Sequence, residues 1–117
     1  MSITLYGIPN CDTVKKARAW LDANGVVYAF HDYKKVGIAE DQLRAWVQQV
    51  GWERLLNRAG TTFRKLPDAD KADLDEGRAI ALMLAQPSMI KRPVVEHDGP
   101  LLVGFDPDRY RDALLSS

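Results

Sequence analysis

The amino-acid sequence predicts an α/β fold, on three observations. The first third alternates β-forming and amphipathic helical segments, the middle third is helical, and the last third holds a hairpin signal followed by a helix. A length of 117 residues is typical of one domain, so residues 1–117 are expected to fold as a single unit with its own hydrophobic core. The order βαβ, helices and then ββα is that of a thioredoxin-like sheet with a helical insertion.

The first third reads as a strand, a helix and a second strand. Residues 2–7 form an apolar, alternating run, residues 12–24 carry an apolar face at helical spacing, and residues 26–31 are rich in β-formers. Asn24-Gly25 is a typical helix end. Because a helix separates the two strands, they are expected to be parallel and joined by a right-handed crossover.

The middle third is predicted to be mostly helical. Residues 39–50 place apolar side chains at helical spacing, and residues 52–58 form a second, short helix. Residues 61–64 read as loop or turn. Residues 73–86 are helical again, and Pro87 follows the end of that helix.

The last third predicts a hairpin and a final helix. Residues 93–97 and 101–104 are short strands around the turn Asp98-Gly99-Pro100. Asp106 is the expected N-cap of the last helix, with Pro107 at its first position. Three apolar residues of this helix are expected to dock it: Tyr110, Leu114 and Leu115.

Composition excludes several function classes. Lys plus Arg and Asp plus Glu both number 16, whereas nucleic-acid binders usually carry a basic excess, so no direct nucleic-acid partner is expected. No apolar run approaches the roughly 20 residues that cross a bilayer, and the N-terminus lacks signal-peptide features. A cytoplasmic location without membrane contact is therefore expected. His31 and His97 have no partner at metal-ligand spacing, so no metal site is predicted.

The single cysteine, Cys11, lies where the first helix is predicted to begin. First-turn amides direct unpaired N–H groups and a partial positive charge toward the sulfur, and this setting favours the reactive thiolate. The alternative is that Cys11 is a small, buried hydrophobic residue, but the polar residues next to it in the sequence argue against burial. Asn10 and Thr13 are expected either to hydrogen-bond the sulfur or to cap the helix. Lys15 and Lys16 are expected to lie on the solvent-exposed face of the helix. One cysteine cannot form an internal disulfide, so a redox cycle must end on an external thiol.

Four segments carry a resemblance to a known family. The run Gly-Ile-Pro-Asn-Cys-Asp-Thr at 7–13, with Lys-Lys-Ala-Arg after it, is similar to the active-site segment of the arsenate reductase (ArsC)/Spx family. The segment 55–66 resembles that family's middle motif, 89–95 its Ile-x-Arg-Pro segment, and 102–105 its closing strand. The similarity extends nearly from end to end, and the Asn-Cys-Asp-Thr variant looks closest to the YffB-like branch.

The resemblance implies an ArsC-like thioredoxin fold and a set of site residues. It implies that Cys11 is the nucleophile, that Arg92 binds an oxyanion or a glutathione carboxylate, and that Pro93 is cis and opposite the cysteine. Asn10 and Thr13 belong to the same predicted site. Arg64 falls within the middle motif and is read either as a further binding residue or as a surface charge.

The sequence also departs from the family pattern. Family arsenate reductases place three arginines around the oxyanion, and only Arg92 matches; Asn57, beside Arg58, and Gly104 stand at the other positions. Arsenate is therefore not the expected substrate. The regulatory branch commonly carries a Cys-x-x-Cys switch, but the second position here is Val14.

These features together predict a glutathione-dependent thiol/disulfide reductase. Its single nucleophilic cysteine would act on a small thiol, disulfide or oxyanion substrate, with glutathione as co-substrate and no permanently bound cofactor. One alternative is an Spx-like transcription regulator that binds RNA polymerase without a redox switch. Another is a true arsenate reductase.

Overall fold

A computed structural model describes residues 2–115 of the chain. These residues belong to two compact units. The first comprises the residues up to Val36 together with those from Arg92 onward, and the second is Gly37–Lys91. The single domain expected over residues 1–117 stays a prediction.

The elements include those that the sequence predicts, in the predicted order, together with helical turns at 33–36, 61–64 and 68–71 that it does not predict. They are β1 (Thr4–Gly7), α1 (Asp12–Ala23), β2 (Ala29–Asp32), α2 (Tyr33–Val36), α3 (Glu40–Val50), α4 (Trp52–Leu55), α5 (Thr61–Arg64), α6 (Asp68–Lys71), α7 (Glu76–Ala85), a 3₁₀ turn (Pro87–Met89), β3 (Val94–Glu96), β4 (Leu102–Val103) and α8 (Pro107–Tyr110), which continues as a π-helical segment (Arg111–Leu115).

The first unit is built on a sheet in the order β2-β1-β3-β4. β1 and β2 are parallel, as the intervening helix predicts, and β3 pairs antiparallel with both β1 and β4. The predicted parallel pairing of the first two strands and the predicted hairpin are therefore confirmed, and the right-handed sense of the crossover stays a prediction. The predicted fold class, an α/β thioredoxin-like fold with a helical insertion between β2 and β3, is also confirmed.

The core of the first unit packs α1 against this sheet. Val14, Ala17 and Leu21, the predicted apolar face of the helix, are fully buried with Leu5 of β1. Tyr110 of α8 joins the same cluster. Burial of this stripe fixes the height and rotation of α1, and hence the position of its N-terminus.

Gly7, the last residue of β1, allows the close approach of α1. A Cβ at this position would lie 2.8 Å from Cγ2 of Val14. Val14 is β-branched and fully buried, so it cannot turn away without moving the helix. The absence of a side chain at Gly7 thus lets the first turn of α1 sit directly behind the end of β1.

We expect Gly7→Ala to destabilise the protein by about 1–3 kcal/mol, the usual cost of overpacking a core. Urea unfolding measures this difference. Gly77→Ala is the matched control: its new methyl group, on the exposed first turn of α7, would meet only Asp75 Oδ1 at 3.7 Å. The control should be neutral or more stable by up to about 1 kcal/mol. Equal stability of Gly7→Ala and wild type would contradict the packing argument.

Element boundaries in the first unit differ from the prediction at β2. The strand begins at Ala29 rather than at residue 26, because pairing with β1 starts at the Thr4–Ala29 register. Val27 precedes that pairing and is 88% exposed. A single helical turn, α2, follows β2 directly and was not predicted.

The second unit corrects three predictions. The helix predicted over 52–58 ends at Leu55, because Leu56 forms an antiparallel bridge with Ile90 instead. Residues 61–64, read as loop or turn, form the helical turn α5, which buries Phe63. The helix predicted over 73–86 begins at Glu76, where the side chain of Asp75 caps it by accepting from the Arg78 N–H at 2.8 Å.

The C-terminal helix begins as predicted. The Asp106 side chain accepts from the Asp108 N–H at 3.0 Å, and Pro107 occupies the first turn. Tyr110 is buried and Leu114 packs against the core, but the docking role predicted for Leu115 is wrong, because its side chain is 40% exposed. In the described part of the chain no helix combines the length and apolar character needed to cross a bilayer.

Candidate active site

Two parallel strands bring their following residues to one edge of the sheet. The register pairs Gly7 of β1 with Asp32 of β2, so both strands end at the same level. The chain that leaves β1 reaches Cys11 at the start of α1, and the chain that leaves β2 continues as Tyr33. Parallel pairing therefore brings Cys11 and Tyr33 to a common edge.

The antiparallel strand β3 starts at this same edge. Its first residue, Val94, pairs with Tyr6 near the end of β1. Arg92 and Pro93 precede β3 and so extend past the end of β1, toward the start of α1. The peptide bond between Arg92 and Pro93 is cis, which confirms what the family resemblance implied.

Cys11 is the N-cap residue of α1. Its backbone is extended, at φ −121° and ψ 127°, and the helix begins at the next residue. The side chain is partly exposed while it also packs against the core cluster. Cys11 is therefore not sealed in the interior, whereas most free cysteines are buried hydrophobes.

The surroundings of the sulfur favour its anionic form. Burial alone would raise the pKa of Cys11. Three groups oppose this effect: the Val14 N–H, the Arg92 guanidinium through a hydrogen bond and its positive charge, and the Thr13 N–H. Together they outweigh burial, so the pKa of Cys11 is lowered. The Cys11 side chain does not meet the geometry of a regular N-cap hydrogen bond, but the Val14 and Thr13 N–H groups still favour the charged form of the sulfur. Two first-turn amides and one guanidinium thus stabilise the thiolate over the thiol.

This lowered pKa predicts a pH-dependent stability. Between the folded pKa of Cys11 and its ordinary value of 9.0, the unfolded thiol holds a proton that the native thiol has lost. The free energy of unfolding therefore rises with pH across this window, and the contribution is lost as pH falls through the folded pKa. In urea unfolding, we expect the free energy of unfolding of wild type to increase relative to that of Cys11→Ser as pH approaches 9. A difference that stays flat over the window would contradict the lowered pKa.

Asn10 and Thr13, which were predicted to act alike, make different contacts in the structure. Thr13 acts on the sulfur through its backbone N–H, and its side chain is exposed. The Asn10 side chain is exposed and its Oδ1 accepts from Lys15 Nζ at 3.4 Å. A direct contact between Asn10 and substrate stays a prediction. The Val14 amide was not singled out, although it follows once Cys11 is recognised as the N-cap, because N2 and N3 amides face that position.

Tyr33 is the site residue that sequence reasoning missed. Its side chain is fully buried, and it hydrogen-bonds the Arg92 guanidinium. Burial raises the pKa of Tyr33, and the neighbouring Arg92 opposes this without reversing it. The parallel pairing of β1 and β2 is the sequence signal that could have pointed to the residue after β2.

Arg64 lies at the end of α5 in the second unit, with an exposed side chain. Its backbone carbonyl accepts from Lys71 Nζ at 2.9 Å. Its predicted binding role stays a prediction. The second unit also carries an open groove, of about 340 Å³, that none of the predicted site residues lines; the lining residues are Thr61, Thr62, Lys65, Leu66 and Gln86.

Gly104 has a structural reason to be glycine. Its φ is +83°, in the left-handed region that side chains rarely adopt, although a Cβ would meet open space. Its N–H bonds the Pro93 carbonyl at 2.8 Å and its carbonyl accepts from the Tyr110 hydroxyl at 2.7 Å. An arginine at this position would have to adopt a strained backbone.

Among the described residues, no three His, Cys, Asp or Glu side chains gather into a group that could hold a metal ion. The arrangement around Cys11 presents a thiolate, the amides of a helix start and a guanidinium.

Comparison with known proteins identifies relatives over nearly the whole chain. A family model described as "ArsC family" matches residues 6–113. The global transcriptional regulator Spx of Streptococcus mutans is 30% identical over 111 residues, which cover 93% of this chain and 80% of the regulator.

Two solved structures are more similar still. One, named YffB protein, is 65% identical with a TM-score of 0.93, and the match covers 97% of this chain and 99% of that one. The other is an arsenate reductase (ArsC) related protein from Brucella melitensis, 56% identical with a TM-score of 0.78, covering 100% of this chain and 97% of that one. The identity to the YffB protein confirms the expected likeness to that branch.

Proposed function

Because the chain belongs to the ArsC family, we propose that it is a glutathione-dependent thiol/disulfide reductase with Cys11 as its nucleophile. The likeness to a protein described as arsenate reductase-related supports a redox enzyme. The observation that carries the proposal is Cys11 itself, a partly exposed residue at the start of α1 whose thiol has a lowered pKa. A thiolate that solvent can reach is the attacking species in disulfide exchange.

The proposed reaction has two exchange steps. The Cys11 thiolate attacks the glutathione sulfur of a mixed disulfide, the Cys11–glutathione bond forms, and the substrate leaves as a thiolate that takes a proton from water. A second glutathione thiolate then attacks the adduct, which releases oxidised glutathione and restores the Cys11 thiolate. Because Cys11 is the only cysteine, the second thiol must come from outside the chain. A reducing cytoplasm would supply it.

Arg92 has two roles in this proposal. Its guanidinium stabilises the thiolate before attack, and it binds an anionic group of the substrate, such as a glutathione carboxylate. A guanidinium carries five N–H donors in a planar fork, so one side chain can serve both groups at once. The helix start adds backbone amides from Thr13 and Val14.

A mass measurement tests the proposal. The protein is incubated with oxidised glutathione at neutral pH, and the mass is read before and after excess reduced glutathione is added. We expect one glutathionyl group to attach to wild type and to leave on reduction, and none to attach to Cys11→Ser. A native protein that stays unmodified, while its urea-unfolded form reacts, would overturn the proposal.

Arsenate reduction by the same site has less support than disulfide reduction. Only Arg92 stands where family arsenate reductases have an arginine, and the backbone of Gly104 disfavours one there. We therefore expect turnover of a glutathione mixed disulfide and no turnover of arsenate in the same coupled assay.

A second candidate function is regulation by contact with RNA polymerase. The 30% identity to a global transcriptional regulator over 93% of the chain favours it. A fully buried Val14 replaces the second cysteine that a redox switch would need. Stoichiometric capture of polymerase subunits, equal for wild type and Cys11→Ser, would favour this function over catalysis.

A further inference from the structure

A second buried tyrosine helps to define what is unusual about Tyr33. Tyr33 and Tyr110 are both almost fully buried in the first unit. Tyr110 donates its hydroxyl proton to a backbone carbonyl, that of Gly104. Tyr33 instead lies among charged groups, next to the Arg92 guanidinium and within electrostatic range of Cys11 and Asp32.

We infer that Tyr33 is a positioning residue, whose hydroxyl oxygen holds the Arg92 guanidinium against the Cys11 sulfur. An arginine side chain has donors only, so in this hydrogen bond the tyrosine oxygen must accept. The same guanidinium hydrogen-bonds the sulfur. Arg92 therefore lies between a fixed acceptor, Tyr33, and the reactive group, Cys11. The inference rests on the proposed function of Cys11.

The strand before Tyr33 and the turn after it restrain the position of this residue. It follows β2 directly, and the Gly7–Asp32 register fixes where β2 ends relative to β1. The Asp32 side chain then holds the next turn, because its Oδ1 accepts from the N–H groups of Lys34 at 3.1 Å and Lys35 at 3.2 Å. A hydroxyl on such a short and fixed turn can restrain a long, flexible arginine side chain.

The protonation state of Tyr33 suits this role. Burial raises its pKa above the ordinary tyrosine value, so the phenol stays neutral at the pH where a thiolate reacts. A neutral acceptor orients the guanidinium without neutralising it. The full positive charge of Arg92 then remains available to the thiolate and to an anionic substrate.

A direct action of Tyr33 on the thiolate is the competing explanation. Cys11 and Tyr33 interact electrostatically, so the hydroxyl could also donate to the sulfur. Both arrangements predict that Tyr33→Phe raises the pKa of Cys11. They differ in the absence of Arg92, since a residue that acts through Arg92 loses its effect once Arg92 is gone.

A double-mutant cycle on Cys11 reactivity separates the two. The variants are Tyr33→Phe, Arg92→Met and the double variant, and the readout is the pH profile of alkylation by iodoacetamide. At a pH below the wild-type thiol pKa, we expect Tyr33→Phe to slow alkylation about three- to fivefold, the equivalent of one lost hydrogen bond. In the Arg92→Met background the same substitution should change nothing.

Tyr110→Phe is the matched control, because it removes a buried tyrosine hydroxyl from the same unit. It should lower the melting temperature without moving the alkylation profile. Unchanged alkylation in Tyr33→Phe beside a slowed Arg92→Met would overturn the inference and leave the proposed function intact. An equal slowing by Tyr33→Phe with and without Arg92 would overturn it in favour of direct action. Ordinary thiol reactivity in wild type would overturn both proposals.

A second measurement needs no substitution at Tyr33. NMR relaxation of the Arg92 Nε–H, assigned by its loss in Arg92→Met, reports whether the guanidinium is held. We expect a backbone-like order parameter, above about 0.8. A value below about 0.6, typical of a mobile group, would contradict positioning by Tyr33 even if Tyr33→Phe failed to fold.

Discussion

Replacing Cys11 by serine is expected to reduce turnover of a glutathione mixed disulfide at least about a thousandfold, as loss of a catalytic nucleophile does. A hydroxyl at this position remains protonated at neutral pH and does not exchange with disulfides. Serine is also a favoured N-cap residue, so α1 should persist and the fold should be retained. A glutathione-coupled assay measures the loss, and circular dichroism measures the fold.

The matched control for this variant is wild type alkylated at Cys11. Blocking the same sulfur should remove the same activity, because the chain has no other thiol. Turnover that survives both treatments would show that the reaction does not pass through Cys11, and the catalytic proposal would fail.

Replacing Arg92 by methionine is expected to have the second largest effect. Turnover should fall about ten- to a hundredfold, the range for removing a charged hydrogen-bond donor. Two causes act together: the pKa of Cys11 rises when the guanidinium no longer opposes burial, and an anionic substrate loses its partner. The assay should therefore show a lower kcat at neutral pH together with a higher KM for the glutathione disulfide.

Arg92→Lys separates charge from geometry. A lysine keeps the positive charge but cannot form two parallel hydrogen bonds from one planar group. We expect activity between that of wild type and that of Arg92→Met. If Arg92→Met retained wild-type kcat and KM, neither thiolate stabilisation nor anion binding could be assigned to this residue.

The sequence predicted the fold where local patterns coincide with burial. The face of α1 formed by Val14, Ala17 and Leu21 is the buried face, and the Asp106 cap begins α8. The prediction erred where tertiary contacts decide. Leu56 leaves the helical pattern to bridge Ile90, a partner far along the chain that no local signal reveals.

The site could be predicted only in part, for a related reason. Cys11 is recognisable because its role depends on local structure, the start of a helix after a strand. Arg92 came from family resemblance, since nothing in its own neighbours marks it as different from a surface arginine. Tyr33 escaped both routes, because its importance depends on the register of two strands and on burial.

Titration of the Cys11 thiolate tests the central claim most directly. Ultraviolet absorbance at the thiolate band is followed against pH for the native protein, and the Cys11→Ser trace is subtracted to remove tyrosine ionisation. We predict a midpoint below 9.0, the ordinary value of this thiol, and a shift of the midpoint to higher pH in Arg92→Met. A native midpoint at or above the ordinary value would contradict the account.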